Sequence, residues 1–100
     1  MARKGYREEK IVKDWLVNRY GKQNVVKAAI GQAIDYIILA PKLDRIAMFV
    51  EAKGTHKKKY YMSADKDQWK RAKEMAIEHS VPLYLFIKKP HQDLEISRIV

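Results

Sequence analysis

Residues 46–53, IAMFVEAK, constrain the fold most. The first five are apolar without alternation. Drawn out as a strand they are apolar on both faces, which suits only a covered central member of a sheet. Alternation then places Ala47, Phe49, Glu51 and Lys53 on one face and Met48, Val50 and Ala52 on the other. A covered strand therefore ends with a carboxylate and an ammonium side by side on one face. Why two opposite charges belong there is the central question of the chain.

The flanking sequence supplies the layers. From Tyr6 to Tyr20 the apolar residues Ile11, Val12, Trp15 and Leu16 recur at helical spacing, and Gly21 is a natural stop. Val25–Ile30 is short and β-branched, Gly31 and Gln32 read as a turn, and Ala33–Ala40 forms a second strand closed by Pro41. Leu43 and Asp44 connect it to a third strand, Arg45–Lys53, which predicts an antiparallel meander. Asp65–His79 carries strong helix formers, with Gln68, Ala72, Met75 and Ala76 on one face and Trp69 beside them. Ser63 or Asp65 is placed to cap this helix, and Pro82 lies beyond its end. Val81–Ile87 then reads as a buried strand and Leu94–Val100 as a weaker edge strand. The LFI segment at Leu85–Ile87 suits either the core or a dimer contact. The expected order is αβββαββ, an α/β fold with a central mixed sheet flanked by helices, and residues 1–100 form a single domain.

A chain of 100 residues supports one modest core. Lys and Arg total 21 against 12 for Asp and Glu, a net charge of +9, and so large an excess on so small a body attracts phosphate polyanions. Nucleic acid is the favoured partner; a lysine-rich solubilising surface is the alternative. The absence of cysteine excludes disulfides, zinc–thiolate sites and thiol catalysis. No apolar run approaches the roughly 20 residues of a bilayer span, and MARKGYREEK lacks a secretory apolar region, so no membrane partner and a cytoplasmic location are expected.

Asp35 sits inside the apolar run AIDYII, where burial without a partner is costly. If Asp35 and Glu51 lie on adjacent strands, a hard divalent cation satisfies both, and magnesium can also accept phosphate oxygens, as phosphodiester cleavage needs. Lys53, on the face of Glu51, is then placed to assist the attacking water and to offset charge growing on the phosphate. The same residues also suit a salt-bridged strand end with Asp35 bonded to Lys53.

The pattern of Asp35, fifteen intervening residues, then Glu51-Ala52-Lys53, after a helix bearing a glutamate, resembles the PD-(D/E)XK nuclease superfamily. RKGYREEKIVKDWL, AIDYIIL, VEAKG and VPLYLFIKK together resemble the archaeal Holliday-junction resolvases, small basic homodimeric proteins. The likeness covers about residues 3 to 89; Ile34 stands where the superfamily pattern has proline. It implies a restriction-endonuclease-like fold, a magnesium-dependent endonuclease with manganese as the alternative ion, and a four-way DNA junction as substrate in recombination and repair. The same core also serves nucleases of linear or flapped DNA. A basic DNA-binding protein without catalysis is the rival outside enzymes.

In that family a glutamate of the first helix reaches the metal. Counting from the RKG motif selects Glu9, whereas helical phase selects Glu8, which shares an arc with Ile11, Val12, Trp15 and Leu16 and is preferred. Related nucleases carry a glutamine near the active site at the position of Gln68, which also suits a plain helix-boundary residue. The metal set is thus Asp35, Glu51 and Glu8, with Lys53 as the fourth catalytic residue and Glu9 and Gln68 as secondary candidates. In the loop after the strand, Thr55, Lys57, Lys58, Lys59 and Tyr60 are placed to meet phosphates and bases, as are Arg3, Lys4 and Arg7 at the N-terminus. A solvated lysine-rich turn is the alternative for that loop. His56, His79 and His91 are too scattered for a zinc site.

Overall fold

The computed structural model describes residues 6–28, 34–42, 45–54, 66–89 and 91–100, with residues 6–8 as backbone alone. In chain order these form α1 (Tyr6–Tyr20), a 3-10 turn (Lys22–Asn24), β1 (Val25–Lys27), β2 (Tyr36–Leu39), β3 (Ile46–Gly54), α2 (Lys66–Glu78), β4 (Leu83–Lys88) and β5 (Glu95–Arg98). The expected αβββαββ order holds. The five strands make one sheet in the order β1-β2-β3-β4-β5. β1, β2 and β3 form the antiparallel meander, β3 and β4 run parallel, and β5 returns antiparallel along β4. The sheet is mixed because a parallel neighbour requires a crossover, which α2 supplies.

β3 is central, as its two-sided apolar run demands. Val50 and Ala52 face Val12 and Leu16 of α1, together with Tyr36, Ile38 and Phe86. Phe49 faces Trp69, Ala72 and Ala76 of α2, with Leu83, Leu85 and Ile87 alongside. Each helix thus covers one face, and each core is built from one parity of the strand residues. On the α1 side Trp15 closes the layer edge-on against Phe86, with ring centroids 5.3 Å apart. Leu85, Phe86 and Ile87 are 4%, 2% and 8% exposed, so the LFI segment belongs to the core of the chain.

Four of the five strands are shorter than the sequence predicts, while β3 keeps its length with its bounds one residue later. β1 ends at Lys27 rather than Ile30, β2 begins at Tyr36 rather than Ala33, β4 begins at Leu83 rather than Val81, and β5 covers only Glu95–Arg98. Apolar β-branched residues mark where a strand is affordable, whereas its length is set by how far its neighbour stays in register. Register slips between Ile38 and Leu39, and the β2–β3 pairing ends one pair later at Leu39 and Ile46. Leu43 and Asp44, and the proposed caps Ser63 and Asp65, lie outside the described residues.

Gly21 ends α1 as expected, its N–H donating to the carbonyl of Val17 at 2.9 Å. It adopts φ 93° and ψ 145°, a conformation open mainly to glycine. A Cβ there would meet no atom within 4 Å, so the penalty of a side chain is purely conformational. Gly21→Ala is therefore expected to lower stability by about 1–3 kcal/mol, read as a fall in the urea midpoint at unchanged slope.

Candidate functional site at the end of the central strand

Backbone hydrogen bonds fix Asp35 before β2 formally begins. Its N–H donates to the Val50 carbonyl at 3.0 Å, and its own carbonyl accepts from Ala28 at 2.8 Å. The residue is held between the chain segments of β1 and β3, with its side chain half-buried. Asp35 Oδ2 accepts from the Ala52 backbone N–H at 2.8 Å. That bond ties the carboxylate to the backbone of β3 one residue past Glu51.

Glu51 is 2% exposed, the only charged residue type in the described core. It shares a strand parity with Phe49 and so points to the α2 side. There the side-chain amide of Gln68, in the first turns of α2, donates to Glu51 Oε2. The same amide accepts from Lys53 Nζ through Oε1 at 3.1 Å. Gln68 therefore links the carboxyl and the ammonium that the strand presents two residues apart, each polar end matched to the partner of opposite character.

Burial pushes the Glu51 carboxyl up to about 9, helped by its hydrogen bond to Asp35 and by the negative charge of Asp35. Lys53 and the Gln68 amide pull the other way without overcoming these. At neutral pH one proton is thus held between two carboxyl groups. A protonated Glu51 carboxyl takes one charge out of the buried cluster, which lowers the cost of burying it. A proton shared by two adjacent carboxylates occupies a place that a cation can take. The pair offers the hard oxygen donors that magnesium and manganese prefer.

The structure thus brings together Asp35, Glu51, Lys53 and Gln68. Asp35 Oδ2 accepts from a backbone amide, and Lys53 donates to Gln68. Gln68, a secondary candidate from the sequence, proves to be the residue that touches both others. The direct hydrogen bond from Ala52 to Asp35 had no signal in the sequence.

The remaining candidates are less fully placed. Glu9 is exposed on α1, and its charge acts on the Tyr36 phenol of the α1 face, which burial and then Asp35 hold protonated. Arg7 and Glu8 lie in the first turn of α1 with their side chains outside the described residues. Arg3, Lys4, Thr55, Lys57, Lys58, Lys59 and Tyr60 fall wholly outside them, as does His56. His79 and His91 are exposed and distant in the chain from the carboxylate pair. Among the described residues no group of three His, Cys, Asp or Glu side chains converges, and no helix is long and apolar enough to cross a membrane. Compared with protein-family models and with curated proteins, the chain matches none.

Proposed function

We propose that this chain is a metal-dependent DNA endonuclease acting at the end of β3. The observation that carries this reading is the buried Glu51 carboxyl beside the half-buried Asp35, with Lys53 tethered to it through Gln68. A purely structural role explains it poorly, since an apolar pair would fill the same space without the desolvation cost. The net charge of +9 supplies the attraction for a polyanionic substrate.

Asp35 and Glu51 hold the cation, with Glu8 as the third ligand that the family resemblance implies. A bound magnesium or manganese ion supplies Lewis-acid chemistry at the scissile phosphate. Lys53 places a positive charge where negative charge grows during phosphodiester hydrolysis and helps orient the attacking water. Gln68 fixes Lys53 relative to Glu51, so both act from one preset arrangement. Following the resemblance to the resolvases, the substrate is a four-way DNA junction. It is cut by a homodimer whose two symmetry-related sites nick two strands.

The test incubates labelled four-way junction and linear duplex of matched sequence with the protein, in magnesium or in chelator, and resolves the products on a denaturing gel. Paired symmetric nicks in the junction alone, dependent on magnesium, are expected. Cutting of both substrates would retain the nuclease and discard the junction preference. Uncut DNA that is nonetheless tightly bound would leave a non-catalytic DNA-binding protein.

A further inference from the structure

β3 and β4 run parallel, so their C-terminal ends lie side by side at one margin of the sheet. In open α/β sheets ligands bind outside such carboxyl ends, in the crevice left where neighbouring strands send the chain in different directions. Here β3 leads to α2, whereas β4 turns back into β5. The end of β3 carries Lys53, and the end of β4 carries Lys88 and Lys89.

The two lysines of β4 serve opposite faces. Lys88 shares the parity of Phe86 and so the face of α1. Its Nζ donates to the carbonyl of Lys89 at 2.7 Å and to that of Gln92. The Lys89 carbonyl also accepts from the Gln92 N–H at 3.3 Å. Lys88 is thus a staple of the turn, and the backbone of Lys89 is fixed from two sides.

Lys89 lies on the face of α2. Its Nζ is 3.8 Å from Glu95 Oε1, and Glu95 is the register partner of Ile87, which sits in one core with Trp69 and Ala72. Ile87 is in turn the register partner of Lys53. Lys53 and Lys89 therefore stand on one face of adjacent strands, two residues out of step. At about 4.8 Å between strands and 3.3 Å per residue, their Cα atoms are about 8 Å apart.

The Lys89 side chain is only 12% exposed, whereas that of Glu95 is 54% exposed. Withdrawing an ammonium from water is costly, and a contact at 3.8 Å with a half-exposed carboxylate offsets little of that cost. A solubilising lysine would reach into water, as Lys13 and Lys22 do. A phosphate oxygen competes for this ammonium with the same sign of charge as Glu95, and an exposed glutamate can yield its place.

We propose that Lys89 binds a non-scissile phosphate of the strand being cut, close to the phosphate on which Lys53 acts. The pair of lysines then fixes the direction in which the strand crosses the ends of β3 and β4. Lys89 holds the substrate backbone, takes no proton in the reaction and carries no base sequence information. The inference rests on the proposed function, which puts the scissile phosphate at Asp35, Glu51 and Lys53.

The experiment measures binding of a four-way junction in chelator. One methylphosphonate, a neutral replacement for a phosphate, is walked along the strand across the junction centre. At one position it is expected to weaken binding by wild type about tenfold, as loss of one charge-assisted contact requires. Lys89→Gln is expected to bind the unmodified junction about tenfold more weakly, with the slope of log K against log salt reduced by about 1, and to be insensitive to the methylphosphonate at that position alone. Lys89→Arg, which keeps the charge, should retain that sensitivity, and Glu95→Gln should bind at least as tightly as wild type with the same profile. Circular dichroism checks the fold of each variant. A methylphosphonate profile of Lys89→Gln identical to that of wild type, or equal weakening by Lys89→Gln and Glu95→Gln, would overturn the phosphate contact while cutting by wild type keeps the nuclease. A wild type that neither binds nor cuts the junction would remove both.

Discussion

Glu51→Ala is expected to reduce magnesium-dependent cutting of a junction by about 10³-fold or more, the scale on which a preorganised electrostatic contributor acts, while junction binding in chelator is kept or tightened. Binding is spared because in chelator at neutral pH the Glu51 carboxyl holds its proton, so its loss does not lower the positive charge that attracts the phosphates. Alanine also leaves the Gln68 amide and the Asp35 carboxylate without the partner they share, so loss of activity with this variant alone could be mistaken for loss of structure. Glu51→Gln separates the two. It keeps the volume, accepts from Gln68 and can donate to Asp35, as the protonated acid does, but it cannot replace a metal-binding carboxylate. The expected pair of results is a melting temperature at neutral pH in chelator at or above that of wild type, with cutting still lost. Cutting by Glu51→Gln within threefold of wild type would end the catalytic reading of this residue.

The second large effect lies in stability against pH. Glu51 has its folded-state affinity for a proton raised, from an ordinary value of 4.5 to about 9. Between these values the folded protein holds a proton that the unfolded chain has lost, so the unfolded state binds fewer protons and stability falls as pH rises. The contribution is complete below about 4.5 and is lost on passing through about 9. At roughly 1.4 kcal/mol per pH unit, raising the pH by two units within the window should cost wild type on the order of 3 kcal/mol relative to Glu51→Gln, which has no proton there to lose. Urea denaturation of both proteins in chelator at the two pH values gives this difference directly, with the other titrating groups cancelling. Saturating magnesium should flatten the wild-type profile, because a cation that occupies the carboxylate pair takes over the neutralising role of the proton. Parallel profiles for the two proteins in chelator would mean that Glu51 is ionised in the fold, and the proton-sharing description of the cluster would fall.

Much of the architecture can be read from residue order because few arrangements satisfy it. IAMFV is apolar on both faces, so it needs cover on both sides, and among the described residues α1 and α2 carry the apolar stripes that provide it. Asp35 stands out for the complementary reason, as a charge in a run that otherwise reads as core. Strand ends were harder to read: Ile34 and Asp35 have strand-like composition, yet regular β2 pairing begins only at Tyr36. The role of Gln68 was the least legible. Its helical phase places it near the sheet, but which strand residues it meets depends on how α2 crosses β3, a tertiary relation with no local trace in the sequence. For the same reason residue order gives no sign of the bond from the Ala52 amide to Asp35 Oδ2.

The topology also sets when the site comes into being. Tyr36 pairs with Val50 across a short connection, while Val50 meets Tyr84 only after the chain has passed through α2. Closing the longer loop costs more entropy and is not repaid until α2 has packed, so the parallel pairing trails the meander during folding. A chain caught between these steps would display Asp35 and Glu51 at the margin of an uncovered three-stranded sheet, wet and without Gln68 to hold Lys53. The juxtaposition of Asp35, Glu51, Lys53 and Gln68 is therefore completed only once α2 and β4 have joined β3, so on the proposed reading a partly folded chain would carry the charge that attracts DNA without an assembled site.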